Sequence, residues 1–132
     1  MRTYAFRLQP GQDLKKEIQH FVNSNNIKAG CMLSIVGSLS HTRLRLAGAK
    51  DFYDSKGKVE ILSLSGTLSI NGSHLHLCVA DHQGKCIGGH LSEGCLINTT
   101  AELVITELAE LTFLRKFDPN TGFDELEVAQ QS

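Results

Sequence analysis

Three histidines lie within one short segment of the chain and could bind a metal ion together. His74 and His76 occupy alternate positions of "SHLHLCVAD", and His90 follows Gly88 and Gly89 in "CIGGHL". Alternate residues of a β-strand point to the same face, so a strand here would present the first two side by side. A strand running back beside it would bring the third to the same patch. Three neutral imidazoles form an open divalent-metal site, and zinc is the first candidate because it accepts three protein ligands plus water.

The two glycines before the third histidine would allow a backbone or a ligand to approach closely. We therefore predict Gly88 and Gly89 as cofactor-binding positions. The histidines have an alternative interpretation that spacing alone leaves open. A His-x-His pair is a common accident, and histidines on strands often act only as hydrogen-bonding groups of a polar face.

Two carboxylates are candidate catalytic groups. Glu60 interrupts the run "VEIL", and Glu102 opens "ELVI". If folding placed either one against the histidines, it could orient an imidazole or act as a general base. The alternative is a solvated carboxylate or an ion-pair partner. The phosphate loop GxxxxGK[ST], the dinucleotide motif GxGxxG and the nucleophile elbow GxSxG are all missing from the sequence.

Apolar periodicity predicts the elements that would position these groups. A helical stripe follows Asp13, the predicted N-cap, and ends near Asn25 and Asn26. Alternation and short apolar runs predict strands at residues 3–8, 29–39, 41–48, 58–70, 73–81, 86–91, 103–108 and 111–117. The segment 103–108 also fits a helix, but its β-branched residues favour a strand.

Glycine and asparagine positions predict the turns between these strands. Asn71-Gly72 predicts a type I′ hairpin, which needs positive φ at both central residues. Gly66 predicts a bulge inside the strand 58–70. After the turn at 118–122, "FDELEV" is either a short edge strand or a tail.

These elements predict the α+β class: a single compact domain in which a mostly antiparallel sheet packs against one or two helices. The domain spans residues 1–132, with a core at about 3–117 and a C-terminal tail at 118–132.

Composition narrows the class of function. The formal net charge is −1 with 20% charged residues, whereas a module that binds nucleic acid mainly through charge has a basic excess. No apolar run approaches the roughly 20 residues of a membrane helix, and "MRTYAFRLQPGQD" becomes polar too early for a signal peptide. We therefore expect a cytoplasmic protein. The four cysteines form no CxxC pair, so we expect buried free thiols.

The ordered set "GKVEILSLSGTLS", "GSHLHLCVADHQGKCIGGHL" and "TTAELVI" resembles the plants-and-prokaryotes conserved (PPC) domain, over a span from the first strand to about Phe117. The pattern of two alternating histidines followed by Gly-Gly-His is typical of stand-alone prokaryotic members. The resemblance implies a strongly curved antiparallel sheet, a homotrimer, and a metal or small-molecule site at His74, His76 and His90 near the subunit interface.

The resemblance also implies a DNA-binding or transcription-associated role, because plant members carry the domain beside AT-hook motifs. The Arg-Gly-Arg core that an AT-hook inserts into the minor groove is missing from this sequence. DNA binding would then need a local basic face, for which the candidates are Arg43, Arg45, Lys50, Lys56 and Lys58, although the balanced charge of the chain favours a solvated surface as their explanation. The alternative function is a zinc-dependent enzyme or small-molecule-binding protein, and a third is histidines that only hold subunits together.

Overall fold

The computed structural model describes residues 1–131. Within them one helix and eight strands follow in the order β1 (Arg2–Leu8), α1 (Leu14–Ser24), β2 (Gly30–Arg45), β3 (Phe52–Leu68), β4 (His74–Ala80), β5 (Cys86–Leu91), β6 (Leu96–Glu107), β7 (Leu111–Asp118) and β8 (Phe123–Gln130). The helix has 11 residues, and none of the described helical structure is long and apolar enough to span a bilayer.

Six strands form the main sheet in the order β1-β6-β2-β3-β4-β5, and every pairing is antiparallel. The sheet also curves back on itself, because the end of β2 pairs with β5 through Leu44–Leu91 and Arg45–His90. This extra pairing closes β2, β3, β4 and β5 into a small ring. The structure confirms the predicted α+β fold with a largely antiparallel sheet and one flanking helix.

Helix α1 covers the main sheet with its apolar stripe. Leu14, Ile18 and Val22 are fully buried, and they join strand residues such as Leu77 and Ile105 in one core. The predicted N-cap is confirmed, because the Asp13 carboxylate accepts a hydrogen bond from the backbone N–H of Lys16 at 3.1 Å. The same carboxylate accepts one from the Gly94 N–H at 2.7 Å, which ties the helix start to the loop before β6.

Several strand boundaries differ from the sequence prediction: β3 begins at Phe52 instead of residue 58, and β6 begins at Leu96 instead of residue 103. The segments predicted separately at 29–39 and 41–48 form the single strand β2, because a register shift between Leu39 and His41 absorbs the break in alternation. The bulge predicted at Gly66 was wrong, since the irregularity lies between Ile61 and Ser63. Gly66 instead allows β4 to approach closely: a Cβ there would overlap the carbonyl oxygen of His74.

The hairpin between β3 and β4 is confirmed, but its predicted type I′ turn was wrong. Gly72 has a φ of 124°, whereas Asn71 is not among the residues with positive φ. The turn's hydrogen bond runs from the Gly72 N–H to the Ser69 carbonyl at 3.0 Å. The Asn71 side-chain amide donates to the Phe113 carbonyl on β7 at 2.9 Å, so a tertiary contact sets the backbone of this turn.

Strands β7 and β8 form a separate two-stranded sheet, in register from Leu111–Gln130 to Asp118–Phe123. The segment "FDELEV" forms a strand and not an irregular tail. This strand lies within residues 118–132, which the sequence predicted as the C-terminal tail. The hairpin is held to the main body by buried Phe113, whose N–H donates to the Lys28 carbonyl at 2.9 Å.

All four cysteines are free thiols. The prediction of full burial is confirmed for Cys95 alone, because Cys31 and Cys78 are half-buried and Cys86 is exposed.

Candidate metal centre

The three histidines lie on one face of the β4–β5 hairpin. His76 on β4 is the direct antiparallel partner of His90 on β5, and His74 lies two residues earlier on β4. Directly paired residues point to the same face of a sheet. The alternating residues Leu75 and Leu77 are buried in the core, which leaves His74 and His76 exposed and His90 half-buried.

The rings are close enough to share one ion. Their centroids are 5.0 Å apart for His74–His76, 5.3 Å for His74–His90 and 5.9 Å for His76–His90. One ligand nitrogen from each ring lies within 4.8 Å of the other two. Two nitrogens at zinc-ligand distance on a tetrahedral ion are about 3.3 Å apart, so small side-chain rotations satisfy the geometry. The donor set therefore fits a divalent metal.

The environment favours the neutral imidazoles of His74 and His90, the form that metal ligation requires. Burial, reinforced by the positive charge of Arg45, lowers the pKa of His90 to about 4. Burial, followed by the neighbouring His76 and Arg115, lowers the pKa of His74. The Nδ1 atom of His90 is buried without a hydrogen-bond partner among the described residues. That atom is thus an unsatisfied donor or acceptor, on a ring whose centroid lies 5.3 Å from that of His74.

The glycines before His90 are explained by strand packing. A Cβ on Gly89 would lie 2.7 Å from the Arg45 carbonyl oxygen, and one on Gly88 would lie 3.1 Å from that of Leu77. The close approach is therefore that of the β2 and β4 backbones. Both glycines also line a cavity of about 520 Å³ beside His76 and His90, so their prediction as ligand-binding positions stays a prediction.

The structure does not bring Glu60 or Glu102 to the histidines. Glu60 pairs with Ala80, four residues along β4 from His76, which is roughly 13 Å at the strand rise. It lines a different cavity, of about 310 Å³, with Lys58 and His82. Glu102 lies on β6, where it pairs with Arg7 of β1 and Val36 of β2. In the order of the sheet, β6 is three strands away from β4. The condition under which either carboxylate would act on the triad is not met.

Sequence reasoning missed several groups beside the triad. A cavity of about 420 Å³ is lined by His74 and His90, by Arg45 from β2, by Arg115 from β7, and by Phe123, Asp124 and Glu125 from β8. We call it the arginine cavity. The antiparallel pairing of Arg45 with His90 puts their side chains on the same face. The alternation of "HTRLRL" predicts that Arg45 points to the face opposite Leu44 and Leu46. No local sequence pattern predicts the long-range contacts of β7 and β8.

The comparison with family models decides the family. The Plants and Prokaryotes Conserved (PCC) domain matches residues 1–109. The chain belongs to this family, written PPC above. Among curated relatives, the bifunctional protein GlmU of Synechococcus sp. (strain JA-3-3Ab) is 51% identical over 97% of this chain. The chain spans only 21% of that relative's length.

Solved structures share the fold over nearly the whole PPC chain. A hypothetical protein from Salmonella cholerae-suis is 42% identical with a TM-score of 0.96, over 99% of this chain and 95% of that one. A metal-containing protein from Archaeoglobus fulgidus is 25% identical with a TM-score of 0.79, over 96% and 94%. A "putative dna binding protein" from Bacteroides thetaiotaomicron is 24% identical with a TM-score of 0.84, over 95% and 91%, and that likeness shows the fold alone.

Proposed function

We propose that this PPC protein binds one divalent metal ion, zinc in the first instance, through His74, His76 and His90. The observation that carries the proposal is the convergence of three ligand nitrogens within 4.8 Å of one another on the β4–β5 hairpin. Three protein ligands leave at least one coordination position open, the arrangement of zinc sites that bind ligands or substrates. The similar protein from Archaeoglobus fulgidus, described as metal-containing, supports the proposal.

The bound metal would serve as the binding centre for a small molecule. The triad lies between the arginine cavity and the cavity beside Gly88 and Gly89, and both are large enough for a small organic ligand. A metal-dependent enzyme is the extension of this proposal, in which the ion supplies Lewis-acid chemistry. Glu125 is then the candidate proton acceptor, because it lines the arginine cavity and its charge acts on the pKa of His74.

Homotrimeric assembly is part of the same proposal. Leu33, Val36 and Leu62 on β2 and β3 expose 57%, 57% and 53% of their surface. β2 and β3 are paired in the main sheet, and we call these three exposed side chains the apolar strip. Contact between copies would remove this strip from water.

DNA association remains a hypothesis taken from the family. Two of the five predicted basic residues have other contacts: Arg43 pairs with Asp54 at 3.4 Å and stacks on Phe52, and Arg45 lies beside His90. The three lysines are left as the candidate phosphate contacts.

Metal content is the direct test. The protein is purified without added metal, and the elements are quantified by mass spectrometry together with the His74→Ala, His76→Ala, His90→Ala variant. We expect about one divalent ion per wild-type chain and a trace in the variant. A His20→Ala, His82→Ala variant, altered at exposed histidines outside the triad, controls for adventitious binding. Equal metal in all three proteins rejects the proposal.

A further inference from the structure

Arg45, which lines the arginine cavity, has no ion-pair partner among the described residues. The Nε atom of Arg45 is buried and has no hydrogen-bond partner, and its guanidinium forms no ion pair among residues 1–131. A buried N–H donor that has no hydrogen-bond partner destabilises the folded state. No contact within the described residues compensates for it, so the unpaired guanidinium of Arg45 indicates an anionic ligand.

The contrast with Arg43 supports this interpretation. Arg43 is two residues earlier on β2 and also half-buried, but its guanidinium has partners within the chain. Its Nε lies 3.4 Å from the Asp54 carboxylate, and its guanidinium carbon lies 4.0 Å from the centre of the Phe52 ring. The same strand therefore carries one arginine with a structural role and one without internal partners, and the second is the one beside the histidines.

A second arginine reaches the same cavity from β7. Arg115 donates from Nη2 to the Thr67 hydroxyl at 3.0 Å, and Thr67 is the cross-strand partner of His74. This single bond positions the guanidinium beside the triad and leaves its other N–H groups for a ligand. Arg45 and Arg115 thus approach the histidines from two different strands.

Two carboxylates also line the arginine cavity and limit the charge of the ligand. Exposed Asp124 and half-buried Glu125 line the cavity from β8. Neither carboxylate forms an ion pair with Arg45, but both repel an anion that enters the cavity. This repulsion is smaller for a monoanion than for a dianion such as inorganic phosphate, so the two carboxylates favour a monoanion.

We propose that the arginine cavity binds a small organic carboxylate, held by the forked N–H groups of Arg45 and assisted by Arg115, with its oxygen atoms directed to the metal. Arginine matches a carboxylate with two parallel hydrogen bonds. Coordination of the carboxylate by the metal rests on the function proposed above. Its binding by Arg45 and Arg115 rests on the contacts of these two arginines and is independent of the metal.

Lactate is the probe, and lactamide is its neutral isostere. Dissociation constants are measured by NMR titration of the zinc-loaded protein, and zinc content is measured on every sample. We expect lactate to bind at least tenfold more tightly than lactamide, and Arg45→Gln to abolish the preference while retaining full zinc. Arg43→Gln, the matched control, should bind lactate as the wild type does. Arg45→Lys retains the positive charge but cannot form two parallel hydrogen bonds, so it should bind lactate more weakly than the wild type. This variant replaces Arg45→Gln in the test if Arg45→Gln fails to fold.

The outcomes separate the two proposals. Equal lactate affinity in wild type and Arg45→Gln overturns the carboxylate site, and so does tenfold tighter binding of inorganic phosphate. If the chain takes up no zinc, the metal proposal fails by itself. The titration of the metal-free protein then decides the anion site: Arg45-dependent lactate binding supports it, and no binding overturns it.

Discussion

His76 and His90 are direct cross-strand partners on β4 and β5, with ring centroids 5.9 Å apart. Their neighbours Leu77 and Leu91 point the other way and are almost fully buried. Strand alternation therefore gives the hairpin two different faces: one packs into the core, and the other carries the imidazoles. Histidine substitutions should consequently change metal binding with little cost to the fold.

The first prediction couples metal to stability. Zinc at about 100 times its dissociation constant should raise the unfolding free energy of the wild type by about 2.7 kcal/mol. His76→Ala and His90→Ala should lose most of this gain, because each removes one of three ligands. Thermal unfolding with and without zinc measures it, and His20→Ala should respond as the wild type does. A full zinc response in both triad variants would contradict the assignment of ligands.

The second prediction uses the two adjacent glycines. Gly89→Ala places a Cβ 2.7 Å from the Arg45 carbonyl oxygen and must push β5 away from β2. We expect a loss of about 1–3 kcal/mol, typical of overpacking, together with weaker metal binding because His90 moves. Gly88→Ala, whose Cβ would lie 3.1 Å from the Leu77 carbonyl, is the milder matched variant. Urea unfolding ranks the two, and equal stability of both variants would refute the packing argument.

The third prediction concerns pH in the metal-free protein. The pKa of His90 is about 4 in the folded state, against about 6.5 in an unfolded chain. Between these values the unfolded chain binds a proton that the folded chain does not, so the unfolding free energy falls as pH falls from 6.5 to 4. The lowered pKa of His74 acts in the same direction.

Urea unfolding at pH 7, 5.5 and 4.5 measures this dependence, with His90→Gln as the comparison. The variant should lose less stability over the window than the wild type, because it lacks the titrating group. Asp81, whose pKa is lowered by backbone hydrogen bonds, contributes to both proteins and cancels in the difference. Identical slopes would show that His90 titrates as in an unfolded chain.

The convergence of the histidines could be predicted because it depends on local rules. A strand period of two sets the face of His74 and His76, and the short turn at residues 81–85 aligns β5 so that His90 meets them. The partners of the triad depend on long-range contacts. Arg45 lies beside His90 because the sheet curves until β2 pairs with β5. Arg115 lies beside the triad because the Phe113–Lys28 hydrogen bond holds the β7–β8 hairpin against the main sheet. Periodicity carries no information about either contact.

The fourth prediction concerns assembly. Light scattering should give about three times the 14.5 kDa mass of the chain if it forms the expected trimer. Leu62→Glu introduces a charge into the exposed apolar strip and should shift the protein toward the monomer, whereas Leu126→Glu, on β8, should not. The assembly should persist after chelation and in the triple histidine variant. Dissociation in those two cases would instead favour histidines that only hold subunits together.

The fifth prediction tests DNA association by its salt dependence. Phosphate contacts strengthen as salt falls, with a slope of about 0.9 per neutralised phosphate in a double-logarithmic plot. If the family role applies to this chain, duplex DNA should bind at low salt through Lys50, Lys56 and Lys58, and Lys56→Gln, Lys58→Gln should lower the slope by about two. Arg43→Gln should leave it unchanged, because that guanidinium already pairs with Asp54. No binding by fluorescence anisotropy at 20 mM salt would remove DNA from the partners of this protein, since the electrostatic attraction is strongest there.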